Sequence, residues 1–274
     1  MNWIIGVVVL IVLGFVLDRE IYFYEGVHFG PRVQAWLYDR WSKKYDEGKR
    51  ASQLHDDEML VQPLLDLLTK VSEPFVLDFA TGTGRLSFAL VSRSEFKGHI
   101  VALDLSQGML EQAASKLASR TTAVELLRHK TLPLPFPDEA FNVICALEVL
   151  ELFPNMEEPL AEFSRVLRPG GILLTSRGTE ASGRKAKVKS VSELSSLLER
   201  NGFENIQIVT WWKLFDRVIA VKSGPFNHVG GKSLSEVLKC SRCHSIHWIK
   251  RSNMWTCQNC GNELPVTDKG VVLN

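Results

Sequence analysis

The run Val76-Leu77-Asp78-Phe79-Ala80-Thr81-Gly82-Thr83-Gly84, followed one strand later by Val101-Ala102-Leu103-Asp104, constrains this chain more than any other stretch. A short, continuously apolar segment that ends in closely spaced glycines and then resumes as a helix reads as a buried strand, a tight loop and a helix start. The loop offers backbone N–H groups, and Asp104 offers a carboxylate at the end of the next strand. Together they form a cradle for a nucleoside-bearing ligand.

The pattern extends in both directions. Strands are predicted over 75–79, 100–103, 123–127, 141–147, 171–176, 206–212 and 218–222. Helical patterns lie between successive strands over 85–91, 107–119 and 158–166. Ser190-x-x-Glu193 is a capping box that starts a helix to about Arg200, and Gly202 ends it. Alternation of this kind predicts an α/β fold with a mostly parallel, seven-stranded sheet covered on both faces. Ahead of it, 34–71 reads as helical, with Trp36, Leu37 and Trp41 on one face. With 45% hydrophobic residues, the 274-residue chain can bury one sizeable core plus a small appendage. A net charge of +1 gives no global case for a nucleic-acid partner.

A nicotinamide-binding loop needs a third glycine three positions after Gly84, and Ser87 stands there. A ligand without a pyrophosphate needs only two. The motifs VLDFATGTGR, VALDLSQGML, LPFPDEAFNVICALEVLE and FSRVLRPGGILL, in this order, resemble the Rossmann-like class I S-adenosylmethionine-dependent methyltransferases, particularly the quinone-biosynthesis branch. The resemblance covers about Tyr38 to Lys222.

It implies S-adenosylmethionine as cofactor. Asp78, Gly82 and Gly84 would line its methionine side, with Ala80 and Tyr45 also binding it. Asp104 would take the ribose, and Leu105 and Met109 would sandwich the adenine. Glu148 would border the methyl-transfer pocket as the catalytic candidate. Tyr38 and Tyr45 resemble lid tyrosines, with ordinary packing as the alternative. The sequence departs from the family at two places. Arg128-His129-Lys130-Thr131 lacks the acid that relatives place before LPF for the adenine amino group, and Leu152 replaces a histidine after EVLE. His55 and His129 are further base candidates. Methyl transfer depends mainly on alignment, so a base is optional.

Two segments flank this core. Residues 3–17 are uncharged and rich in Ile, Val and Leu. With no preceding basic residue and no cleavage site, the run is expected to be a transmembrane anchor over 1–20 rather than a signal peptide; a buried helix is the alternative. Arg19, Arg32, Arg40, Lys43 and Lys44 follow it, which would place a single-pass protein with its catalytic domain facing the cytoplasm. Tyr22, Phe23 and Tyr24 would sit at headgroup depth or pack on the domain.

At the other end, Cys240-x-x-Cys243 and Cys257-x-x-Cys260 have the spacing of a closed four-thiolate zinc site, structural because it leaves no open position. Cys145, within an apolar strand, reads as a small buried hydrophobe. The tail resembles the zinc-ribbon activator subunits that pair with RNA and protein methyltransferases. That likeness implies a ribbon docking on the catalytic domain in cis or on a protein partner.

The division expected is thus an anchor over 1–20, a methyltransferase domain over 21–225 and a ribbon over 226–274, acting on a lipophilic small molecule such as a quinone, isoprenoid or lipid. An RNA or protein methyltransferase, or a non-catalytic S-adenosylmethionine-binding scaffold, are the alternatives. A basic loop of Arg177, Arg184, Lys185, Lys187 and Lys189 would meet an anionic acceptor or remain solvated.

Overall fold

The structure is a computed structural model that describes residues 2–120, 123–182, 188–226 and 230–274. Helix α1 (Asn2–Asp18) opens the chain. Helices α2 (Pro31–Trp41), α3 (Tyr45–Gln53) and α4 (Gln62–Leu67) lead to β1 (Phe75–Phe79). There follow α5 (Arg85–Val91), β2 (His99–Asp104), α6 (Gln107–Lys116), β3 (Val124–Arg128), β4 (Phe141–Ala146), α7 (Glu157–Val166) and β5 (Leu167–Gly178). Then come α8 (Val191–Arg200), β6 (Phe203–Trp212) and β7 (Phe215–Lys222). The tail adds the short strands β8 (Trp248–Lys250), β9 (Met254–Cys257), β10 (Glu263–Pro265) and β11 (Val271–Leu273).

The main sheet runs β11-β3-β2-β1-β4-β5-β7-β6. Only β7 runs against the other strands, antiparallel to β5 on one side and β6 on the other. The expectation of a mostly parallel sheet is met with one strand more than the sequence suggested: β11 pairs parallel to β3 at the far edge, Val271 opposite Leu126 and Val272 opposite Leu127. A three-residue strand beyond a cysteine-rich tail has too little periodicity to be read as a strand.

Alternation along β1 explains the two cores. Phe75, Leu77 and Phe79 face one side, where α7 and α8 pack. Val76 faces the other, against α4, α5 and α6. Phe75 stacks on Phe141 at 4.7 Å between ring centres, with Phe136 edge-on to Phe141. Trp248, Trp255, Leu234 and Leu238 of the tail join the same cluster as Phe75 and Phe163. Each such buried side chain contributes roughly 1.5–3 kcal/mol before entropy is charged against it. The tail therefore shares the core of the main sheet. Its return path passes so close to the Glu73 carbonyl that a Cβ on Gly230 would lie 1.9 Å from that oxygen, which is why glycine stands there.

The transmembrane anchor is overturned. Helix α1 has 17 residues, about 26 Å at 1.5 Å per residue against a hydrocarbon core of about 30 Å. Asp18, Arg19 and Glu20 stop the apolar run, and the chain continues as a π-helical turn over Arg19–Phe23. No helix among the described residues is long and apolar enough to cross a membrane. The single-pass, cytoplasm-facing localisation expected from that anchor falls with it. Tyr22 is exposed and stacks loosely on Trp41, while Phe23 and Tyr24 pack edge to face, with Arg19 over both rings. Of the basic loop, Arg184, Lys185 and Lys187 lie outside the described residues. Arg177 is bound to Asp216 through Nε at 2.9 Å, a structural pair rather than a free cation.

Candidate functional site

The carboxyl ends of β1, β2 and β4 border a cavity of about 430 Å3. Crevices beyond the carboxyl ends of parallel strands are where ligands bind in open α/β sheets. Ala80, Gly82, Asp104, Leu105, Tyr45 and Glu148, all expected at the site, lie on its wall.

Asp104 organises the floor. Its Oδ2 accepts the Gly82 N–H and its Oδ1 the Ser106 N–H, each at 2.8 Å. Those bonds fix the carboxylate while leaving lone pairs for a ligand hydroxyl. Burial pushes its pKa up to about 6, against the pull of those N–H donors. Gly82 and Gly84 have φ of 57° and 75°, the left-handed region that glycine enters freely. Gly84 also lets α6 approach: a Cβ there would meet Ala113 Cβ at 3.0 Å.

Three expected residues are not on the wall. Asp78 is buried beneath the loop, where its Oδ2 accepts from Thr81 Oγ1 and Ser87 Oγ, both at 2.6 Å. Ser87, the residue that replaces a third glycine, thus secures the acid under the loop. Burial raises the Asp78 pKa despite both hydroxyls. Gly84 shapes the turn behind the wall, and Met109 is packed in α6. Cys145 is fully buried, and burial raises its thiol well above the usual range.

The cavity roof comes from α2 and α3. Asp39 Oδ1 accepts from Ser106 Oγ at 2.6 Å and the Gly108 N–H at 2.8 Å, joining α2 to the start of α6. Asp46 accepts from Thr83 Oγ1 and pairs with Lys116 Nζ at 2.8 Å, joining α3 to the glycine loop. Tyr45 then lies over Gly82, its Cε1 3.8 Å from where a Cβ would be. Tyr38 donates to Glu25. Burial lifts the Tyr45 hydroxyl to about 12 and also raises Tyr38 well above its ordinary value, so both remain protonated donors.

Glu148 sits just past β4 with φ 55°, its N–H donating to Ser176 Oγ at 2.6 Å. Such a backbone in a residue other than glycine is strained and persists only where its surroundings fix it. Its carboxylate is bonded by Lys49 and lies 3.5 Å from Arg85 Nη1; Arg85 in turn grips Asp56 through two N–H groups. Burial would lower the Lys49 pKa, but Tyr45 and Glu148 outweigh it and raise it. Glu148 is thus a clamped acceptor facing the cavity rather than a free base. Lys49, Arg85, Asp39 and Asp46 were not foreseen. Only the four-residue spacing of Tyr45 and Lys49, which puts them on one helix face, signalled any of them.

One side of the wall is apolar, formed by Phe79, Leu132, Leu147, Val149, Leu152 and Phe153, while Lys130, Thr131 and Glu158 also line the cavity. Leu152 is buried in that apolar side. His129 lines the edge beside Leu105, while His55 is absent from the lining.

In the tail, the Cys240, Cys243, Cys257 and Cys260 sulfurs all lie within 4.8 Å of one another. Cys240 to Cys260 and Cys243 to Cys257 are each 3.6 Å. A tetrahedron with metal–sulfur bonds of about 2.3 Å has edges of about 3.8 Å. The four donors therefore fit one zinc-sized ion.

A family profile described as "Methyltransferase domain" matches residues 76–171. The demethylmenaquinone methyltransferase of Thermus thermophilus is 32% identical over 138 residues, 50% of this chain and 62% of that protein. That of Lactobacillus johnsonii is 26% identical over 207 residues, 63% of this chain and 85% of that protein. The chain thus spans less than two thirds of the first relative's length. A solved S-adenosylmethionine-dependent methyltransferase of Aquifex aeolicus shares the fold, with a TM-score of 0.55 at 22% identity over 67% of this chain and 97% of that one.

Proposed function

We propose that this S-adenosylmethionine-dependent methyltransferase domain methylates a lipophilic small molecule of the quinone type. The observation that carries this reading is the division of one cavity into a polar floor at Asp104 and Gly82 and an apolar side at Leu147, Val149, Leu152 and Phe153. Relatives named demethylmenaquinone methyltransferases point the same way.

When bound, S-adenosylmethionine supplies an electrophilic methyl group. Asp104 accepts from the ribose hydroxyls, and Ala80, Gly82 and Tyr45 border the methionine side. Tyr45 closes the site against water. Glu148, held by Lys49 and Arg85, presents a fixed carboxylate at the boundary between donor floor and apolar wall. A phenolic acceptor hydroxyl placed there donates to Glu148, which orients the ring for in-line transfer. Leu152 and Phe153 hold its apolar body.

The four cysteines of the 226–274 ribbon hold a structural zinc ion in this reading, since a closed thiolate set leaves no position for substrate. Incubating the protein with labelled donor and, in separate reactions, a reduced short-chain quinone, total RNA and total protein tests the assignment. Label in the quinone fraction is expected; label confined to RNA or protein overturns it.

A further inference from the structure

The segment that should recognise adenine contains no acid, and the structure places a different device there. Strand β11 ends beside β3, and Asn274 clamps the loop that leaves β3 at two points. Its N–H donates to the Arg128 carbonyl at 3.0 Å, and its side-chain Nδ2 lies 3.1 Å from His129 Nδ1. The His129 N–H donates in turn to the Asp104 carbonyl at 3.0 Å. His129 is therefore fixed relative to the residue that would take the ribose, one strand further along the sheet. Asp104, Leu105 and His129 line the same cavity, so the base of a ribose held on Asp104 would lie beside Leu105 and His129.

The hydrogen-bond pattern sets the tautomer. An amide N–H facing Nδ1 leaves that nitrogen as acceptor, so the proton resides on Nε2. Nε2 faces the Pro133 carbonyl at 3.4 Å, beyond the usual 2.9–3.0 Å, and the Thr131 backbone also bonds the ring. So long a bond yields readily to a ligand atom, and His129 lines the cavity. Burial lowers the His129 pKa, in keeping with a neutral ring.

We propose that His129, held by Asn274 as its Nε2–H tautomer, recognises the purine by donating to a ring nitrogen. It takes the place of an acid that would accept from the exocyclic amino group. The proposal rests on the S-adenosylmethionine reading of the cavity. It also makes the C-terminal strand a positioning element of the donor site: Asn274 acts through His129.

Calorimetry with S-adenosylhomocysteine and its deaza analogues, each lacking one ring nitrogen, tests it. The unaltered protein is expected to bind one analogue about tenfold more weakly than the parent, the worth of one hydrogen bond. His129→Phe and His129→Gln should weaken the parent by a similar factor, and His129→Phe should abolish the discrimination. Asn274→Leu should reduce the discrimination, and in the double variant its effect should vanish. A merely structural role would weaken all analogues equally. Parent binding with no analogue disfavoured, or with the same discrimination in His129→Phe, overturns the proposal and leaves the donor reading intact. No binding of any adenosyl compound by the unaltered protein overturns the donor reading itself.

Discussion

At Asp104 two demands act on one carboxyl group. It closes the glycine loop through the Gly82 N–H, and in the proposed reading it accepts from the donor's ribose. Burial raises its pKa from 3.8 to about 6, so the folded protein retains a proton that the unfolded chain has already lost. The sign follows: the group favours folding below about pH 4, and that contribution is lost as pH rises through 6. Donor binding has the opposite dependence, because the ribose needs the carboxylate. Affinity should be flat above pH 7 and fall about tenfold by pH 5, and Asp104→Asn should bind weakly and lose most of that slope. Calorimetry across this range reads both, and undiminished affinity in Asp104→Asn would mean the ribose lies elsewhere. Gly84 carries a second residue-scale expectation. Gly84→Ala meets a left-handed φ and Ala113 together, a cost of about 2 kcal/mol that should lower the melting midpoint by about 4–8 °C.

Among the elements, the lid formed by α2 and α3 does most to define the site and was hardest to foresee. Strand, loop and helix at 75–91 were legible because a buried parallel strand is a run of apolar residues and a tight loop demands glycine. The lid depends on Asp39, Asp46 and Lys49, whose partners Ser106, Thr83 and Glu148 lie far away in sequence; no local period encodes such contacts. For the same reason Asp78 reads as a ligand contact but is held beneath the loop by Thr81 and Ser87. The apolar run at 3–17 was legible as a helix, but its 17-residue length is what decides against a span. The lid's attachment should be separable from global stability. Asp46→Ala removes the partner of Thr83 and Lys116 at a half-exposed position, so about 1 kcal/mol should be lost. Donor affinity should fall about fivefold through faster release, with the melting midpoint within about 4 °C of the parent. Stopped-flow release of a fluorescent donor analogue checks it; an unchanged release rate would show that α3 does not gate the site.

Across the whole molecule, the cysteine tail and the main sheet share one core. Trp248 and Trp255 pack in the cluster that contains Phe75 and Phe163, and the Trp248 Nε1–H donates to the Leu238 carbonyl at 2.7 Å. The connection continues outward from the cysteines: β9 pairs with β10, Val266 bridges to Val272, and β11 seals the open edge of β3. Loss of one thiolate should therefore be felt beyond the tail. A site that binds metal only when folded adds its binding free energy to folding. Cys257→Ser, or a strong chelator, should lower the melting midpoint by 10 °C or more, on the order expected from several kcal/mol in a chain of this size. Hydrogen exchange locates the effect: amides of β8 to β10 should lose protection first, then those of Val271–Leu273, while β1 and β4 stay protected. An edge left open at β3 also frees Asn274, so donor affinity should drop in the same variant. Faster exchange confined to 239–266, with β11 and donor affinity unchanged, would show that the tail is energetically separate from the sheet it completes.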